Sequence, residues 1–97
     1  MTSYRLTFLR DAKKEWDKLG QDIRDQFAMK LRERLRNPRV ASARLSGLPD
    51  CYKIKLRSIG YRLVYRVHDD RLVVQVVAVG RRDRSRVYKT AAERVES

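Results

Sequence analysis

Residues 52–79 constrain this chain more than any other stretch, because they spell three strands joined by two short turns. Tyr52, Ile54 and Leu56 alternate with Lys53, Lys55 and Arg57. A period of two puts one set on each face of a strand. Ser58-Ile59-Gly60 supplies a turn, after which Tyr61, Leu63, Tyr65 and Val67 alternate with Arg62, Val64 and Arg66. Asp69-Asp70 supplies the next turn. Leu72 to Val79 is almost continuously apolar, the pattern of a strand buried on both faces or central in a sheet.

The remaining sequence must pack against those strands. Tyr4, Leu6 and Phe8 alternate with Arg5 and Thr7 as a short half-buried strand. Ala12, Trp16 and Leu19 stand at helical spacing, with Asp11 as cap and Gly20 as stop. Ile23, Phe27, Leu31 and Leu35 recur every four residues and predict a second helix from about Asp22 to Arg36, ended by Asn37-Pro38. Val40 to Asp50 reads as a connector with turn chemistry at Gly47, Pro49 and Asp50. After Gly80, Val87, Ala91 and Val95 predict a short final helix. The expected class is α+β, in the order β-α-α-β-β-β-α. A two-helix N-terminal hairpin packs on one face of a small, mostly antiparallel sheet, and the other face stays available. With 97 residues, no repeat and no linker, residues 1–97 are expected to form one domain.

Charge narrows the partners. The chain carries 24 Lys and Arg against 12 Asp and Glu, a formal +12, while 42% hydrophobic residues still suffice for a modest core. Such a surplus favours polyanions: nucleic acid, an anionic membrane face or an acidic protein. No apolar run approaches the ~20 residues that cross a bilayer, and Met1 to Arg10 lacks the apolar core of a signal peptide. The one cysteine, Cys51, cannot form an internal disulfide and reads as a small buried hydrophobe. A cytoplasmic protein with no membrane partner is expected.

The alternation in the strands gathers the cations. Lys53, Lys55 and Arg57 share one face of their strand, and Arg62 and Arg66 share a face of the next. Like charges side by side are unfavourable unless an anion sits among them. Because the two sets are cationic and contain no acid, a phosphate-binding face is favoured over an ordinary solvated one. The Arg81-to-Arg86 run leaves the buried strand and can curl over that face, with Tyr88 just beyond. Catalysis by a histidine pair is excluded, since His68 is the only histidine and sits beside the predicted Asp69-Asp70 turn. No metal-ligand cluster and no phosphate loop is visible, so no cofactor and no metal are expected. Cleavage of RNA would then rest on Lys, Arg and Tyr. Cations stabilise the phosphorane formed when a 2′-hydroxyl attacks its phosphate, and a Lys or Tyr among cations has its pKa lowered toward that of a general base.

Several segments resemble the RelE toxins. They are Leu48-Pro49-Asp50-Cys51-Tyr52-Lys53-Ile54-Lys55-Leu56-Arg57-Ser58, then Gly60-Tyr61-Arg62-Leu63-Val64-Tyr65, and Val79-Gly80-Arg81-Arg82-Asp83-Arg84-Ser85 with Val87-Tyr88. Lys14-Glu15-Trp16 with Lys18-Leu19-Gly20 adds to them, so the likeness spans nearly the whole chain. The resemblance implies a metal-independent endoribonuclease that cuts mRNA in the decoding centre of the 30S subunit and does little to free RNA. By position it implies that Lys53 and Lys55 activate the nucleophile and balance phosphate charge, and that Arg62 stabilises the transition state. Arg82 protonates or stabilises the leaving oxygen, and Tyr88 is general base or a stacking platform. Arg44, Arg57, Arg66, Arg81 and Arg84 are the candidate RNA contacts around this set. Ser46 departs from the arginine of well-known members, with Arg44 nearby. A cognate acidic antitoxin is implied, wrapping the basic domain and displacing the final helix around Arg84 to Arg94. Operator DNA is reached only through that antitoxin.

Two other readings stay open at this level. One is an inhibitor of DNA gyrase on the same fold, as in the related ParE branch. The other is a binding module for RNA or ribosomes without chemistry, for which the net charge alone suffices.

Overall fold

The computed structural model describes residues 3–81 and 86–96. Its elements run β1 (Arg5–Phe8), α1 (Arg10–Asp17), α2 (Gln21–Arg36), a 3₁₀ turn (Ala41–Ala43), β2 (Cys51–Leu56), β3 (Tyr61–His68), β4 (Val73–Arg81) and α3 (Arg86–Glu96). The expected β-α-α-β-β-β-α order is the observed one. The sheet order is β1-β4-β3-β2, with β1 parallel to β4 and the other two pairings antiparallel. The apolar run after Leu72 therefore becomes an interior strand, as its composition requires.

Alternation sorts the sheet into two cores. Tyr52, Ile54, Leu56, Leu63, Tyr65, Val67, Val74, Val76 and Val79 pack with Ala12, Phe27 and Leu31 of the helical hairpin. Trp16 lies between Phe8 and Phe27, with ring centroids 5.3 and 6.2 Å away. Phe27 is fully buried, and its truncation to alanine is expected to cost about 3–5 kcal/mol. On the opposite face Cys51, Val64, Val77 and Ala78 meet Val87 and Ala91 of α3.

That second core corrects the expectation of an available face. Two consecutive residues of β4 join it because the strand bulges. Val64 pairs with Ala78 and Tyr65 with Val76, so Val77 has no partner across the ladder. The bulge turns Val77 and Ala78 toward the same helix, giving α3 an apolar bed. The middle of the face is covered, and charged side chains lie at its ends and along its β2 edge.

Local signals differ from expectation in two places. Leu9 caps α1 in extended conformation without a side-chain hydrogen bond, and Asp11 lies inside the first turn, where an acid favours the helix dipole. His68, beside the turn, is the last residue of β3, and its ring nitrogen lies 3.0 Å from Gln75 Oε1, a contact that sequence does not announce. Gly60, at φ 69°, takes the left-handed position that closes the β2–β3 turn, its N–H donating to Leu56 O at 2.9 Å. Cys51 is fully buried and burial pushes its thiol up to about 11, so it is the inert hydrophobe expected.

Candidate active site

Register decides which cations meet. Lys55 of β2 stands directly across from Arg62 of β3, and Lys53 lies two residues away on the same face. Arg62 in turn pairs with Gly80 of β4. A Cβ on Gly80 would lie 3.1 Å from Val87 Cγ2, so glycine lets the first turn of α3 settle against the strand. This brings Tyr88 over the arginine. Arg62 Nη1 donates to the Tyr88 hydroxyl at 2.8 Å, and the guanidinium carbon is 5.7 Å from the ring centroid. Lys53, Lys55, Arg62 and Tyr88 thus converge, all half-buried, at one end of the α3 face.

The electrostatics of this corner are one-sided. The Lys53 ammonium beside it holds Lys55 below the ordinary lysine range, and lesser contributions come from desolvation, Arg62 and Arg57. Next to the pair is a hollow of about 250 Å³ lined by Lys55, Leu56, Arg57, Gly60, Tyr61 and Arg62. Among the described residues no carboxylate lines it. An anion is the natural occupant, and a lysine whose proton is loosened is suited to act as a base.

The other candidate contacts scatter. Arg57 is exposed at the end of β2 and borders the hollow. Arg44 follows the 3₁₀ turn, bridges Tyr52 at the open edge of β2, and faces a groove with Leu45, Ser46 and Leu48. Arg66 stands four residues beyond Arg62 on β3, about 13 Å along the strand, with the α3 packing at Val64 between them. Its Nε is buried without a hydrogen-bond partner. Arg81 donates to the Tyr61 hydroxyl at 3.1 Å, and Tyr61 packs toward the helical hairpin, so Arg81 turns away from Arg62. Arg82 and Arg84 lie outside the described residues.

Sequence reading alone missed several groups that build the site. Gly80 is one. Two more form a clasp on α3: Arg94 places Nη1 and Nη2 at 2.9 and 3.0 Å from the two carboxylate oxygens of Glu15. The same arginine donates to Val77 O at 2.8 Å, and Glu15 accepts from the Val79 N–H at 3.1 Å. The clasp thus serves backbone groups of β4 at and just beyond its bulge, past the end of β1. Arg34 of α2 is another, donating to Lys53 O at 3.1 Å and to the Tyr65 hydroxyl at 2.9 Å. The outer face of α2 reads in sequence as solvated, yet Lys30 and Arg34 stand four residues apart beside Lys53 and Lys55.

Comparison with known proteins fits this architecture. The family model of the ParE toxin of type II toxin-antitoxin system, parDE, matches residues 6–86. The mRNA interferase toxin RelE of Escherichia coli strain K12 is 54% identical over 93 residues, covering 96% of this chain and 98% of the relative. A putative RelE-like toxin protein of Escherichia coli is 54% identical over 92 residues, covering 95% and 97%. Among solved structures, an arginine-to-alanine double mutant of E. coli toxin RelE in the free state superposes with TM-score 0.89 at 51% identity, covering 97% of this chain and 99% of that one. The toxin of the intact E. coli RelBE toxin-antitoxin complex gives TM-score 0.81 at 53% identity, covering 84% and 99%. With the family model over residues 6–86 and 54% identity to RelE over nearly the whole chain, the chain belongs to the RelE branch of the RelE/ParE family of type II toxins.

Proposed function

We propose that this protein is the toxin of a type II toxin–antitoxin pair and cleaves mRNA in the ribosomal A site, with residues 1–97 acting as one toxin domain. The observation that carries the reading is the convergence of Lys53, Lys55, Arg62 and Tyr88 beside a hollow that, among the described residues, no carboxylate lines. Its relative RelE is an mRNA interferase over almost the same length.

The chemistry follows from the groups present. The ribose 2′-oxygen bonds to the adjacent phosphorus as its proton passes to a base, for which Lys55 has the loosened proton. Arg62 and Lys53 stabilise the negative charge that builds on the phosphorane. The bond to the 5′-oxygen then breaks, and that oxygen takes up a proton. The products are a 2′,3′-cyclic phosphate and a 5′-hydroxyl. Tyr88, fixed by Arg62, either shares in the proton transfer or stacks on a base of the codon. Arg82 is assigned to the leaving oxygen. Arg44, Arg57 and Arg84 are assigned to the RNA backbone, and Arg66 and Arg81 to contacts outside the reacting corner.

An incomplete acid–base set explains dependence on the ribosome. Ribosomal RNA holds the mRNA in a reactive shape, and the toxin adds charge and a base. The partners are therefore the ribosome with its mRNA, and a cognate acidic antitoxin, as RelE has in the RelBE complex. Operator DNA is reached only through the antitoxin. The cytoplasm is the compartment where these meet. Among the described residues no helix is long and apolar enough to cross a membrane.

Primer extension on a defined mRNA, with and without ribosomes holding an empty A site, tests the reading. A cut within the A-site codon only when ribosomes are present is expected. An uncut mRNA in both arms, from folded protein, overturns it and turns attention to gyrase inhibition or to binding without chemistry.

A further inference from the structure

β2 is the outer strand of the sheet, and beyond the Arg44–Tyr52 bridge its outer edge faces α2 across a cleft of about 380 Å³. Lys30 and Arg34 line the cleft from the helix, Lys53, Lys55 and Arg57 from the strand, and Ser42 from the 3₁₀ turn. Among the described residues five cations and no acid share this space. None of the five makes an ion pair among the described residues, although the chain forms such pairs elsewhere. Two cations four apart on a helix destabilise it unless something neutralises them, and so do cations massed on a strand edge.

Arg34 is not a loose surface residue. Its Nη1 is held between Lys53 O and the Tyr65 hydroxyl, and Tyr65 in turn donates to Pro38 O at 2.6 Å. The guanidinium covers backbone at the open edge of β2 and so brings a fixed charge to the cleft wall. A fixed guanidinium, a flexible ammonium one helical turn away and a hydroxyl are the donor types that hold a phosphodiester. The cleft is also continuous with the reacting corner. Lys55 and Arg57 line both this cleft and the hollow beside Arg62. A strand lying against Arg62 must pass Lys55 and Arg57, and beyond them the charged path leads over the β2 edge to Lys30 and Arg34.

We propose that the α2–β2 cleft binds a backbone phosphate of the substrate strand next to the phosphate being cut. The assignment rests on the reading of the protein as an endoribonuclease and extends it to a flanking subsite. Lys53 then has two neighbours to serve, the reacting phosphate on one side and the flanking phosphate on the other. The subsite discriminates a continuous single strand from a lone phosphate, because both positions must be filled by one backbone. It reads no base.

The test is single-turnover cleavage on ribosomes by the full chain and by Lys30→Glu, an exposed residue outside the reacting corner. Three mRNAs are compared: one unmodified, and two with an uncharged methylphosphonate immediately 5′ or 3′ of the scissile phosphate. On unmodified mRNA, Lys30→Glu raises the toxin concentration for half-maximal rate about tenfold, the effect of one charge-assisted contact, and leaves the maximal rate within about twofold. It also lowers the salt slope by about one. Wild type loses a similar factor on one of the two neutralised mRNAs, and there Lys30→Glu causes no further loss. Affinity for ribosomes with an empty A site is unchanged by the substitution. Undiminished loss by Lys30→Glu on both neutralised mRNAs, or a matching loss of affinity for mRNA-free ribosomes, assigns the cleft to ribosomal RNA and overturns the proposal. So does wild-type cleavage that is indifferent to both methylphosphonates. Failure of the wild type to cut any of the three mRNAs overturns the endoribonuclease reading itself.

Discussion

Arg94 and Glu15, 79 residues apart in sequence, form a two-armed ion pair that ties the end of α3 to α1 and to the bulged part of β4. Both side chains are largely shielded, so the pair is more than a solvated surface contact. The other end of α3 is placed by Val87 against Gly80, and Tyr88 lies next to Val87. The position of Tyr88 on Arg62 therefore depends on the whole docked helix. Arg94→Ala is expected to lower stability by about 2 kcal/mol, read from urea unfolding, because it removes the charge partner of a shielded carboxylate. Cleavage should fall further than ribosome binding, and Arg94→Lys should restore part of both. Unchanged cleavage by Arg94→Ala would separate Tyr88 from the clasp.

Gly80 should resist enlargement for a steric reason. A Cβ there already approaches Val87 Cγ2 to 3.1 Å, and further atoms must push the first turn of α3 away. Gly80→Val is expected to reduce single-turnover cleavage at least tenfold while the far-ultraviolet circular dichroism stays close to that of the wild type. A variant that cuts normally contradicts the role given to close helix–strand approach.

The proposed role of Lys55 as base gives cleavage a pH dependence of definite sign. The Lys55 proton is loosened first by Lys53, so the charged form costs the folded protein stability at low pH; that penalty fades as pH rises through the depressed pKa and is gone above the ordinary lysine value. With Lys55 as base, the rate rises with pH as that proton leaves. Lys53→Met removes the largest cause of the shift. The rising limb of the pH–rate profile should move to higher pH, in addition to any loss of maximal rate. A limb that stays in place assigns the base elsewhere.

Arg39 organises the opposite end of the molecule. It donates to Asp69 at 2.6 and 3.0 Å, to Asp50 at 3.0 Å and to the Tyr52 hydroxyl at 3.2 Å. Its hydrogen bond, followed by that of Tyr4, holds the Asp69 carboxyl below the usual carboxylate range. Such a group adds stability above its unfolded pKa, about 3.9, and the addition is lost as pH falls through the depressed value. Wild type should therefore lose stability with acid more steeply than Arg39→Ala, between about pH 5 and pH 2. Denaturant midpoints across that range check the slope.

Periodicity made most of the fold legible. Three alternating or apolar runs became β2, β3 and β4, and the four-residue rhythm of Ile23, Phe27, Leu31 and Leu35 became α2 nearly to the residue. Strand alternation also delivered Lys53, Lys55 and Arg62 to one corner. It could not say that α3 would pack on Val64 and part Arg66 from Arg62, or that Arg81 would pair with Tyr61, since the first depends on helix docking and the second on register. The docking of α3 was hidden for a different reason. Val87, Ala91 and Val95 announce an apolar helix face, but its bed exists only because Val77 bulges out of the ladder. Lys30 and Arg34 were hidden because a basic helix face looks solvated until its neighbour across space is known. Asp11 looked like a cap, but extended Leu9 fills that position.

In the proposed reaction Lys55 and Tyr88, brought together by Arg62, serve the cleavage step, by proton transfer or by placing the codon base, rather than the affinity for the ribosome. Single-turnover cleavage of ribosome-bound mRNA by wild type, Lys55→Ala and Tyr88→Phe, with ribosome affinity measured alongside, tests it most directly. Rates at least tenfold lower are expected for each variant, with affinities within about threefold of wild type, the range that one general acid–base or positioning group commands. Near-wild-type rates in both variants, or losses that track affinity alone, would contradict it.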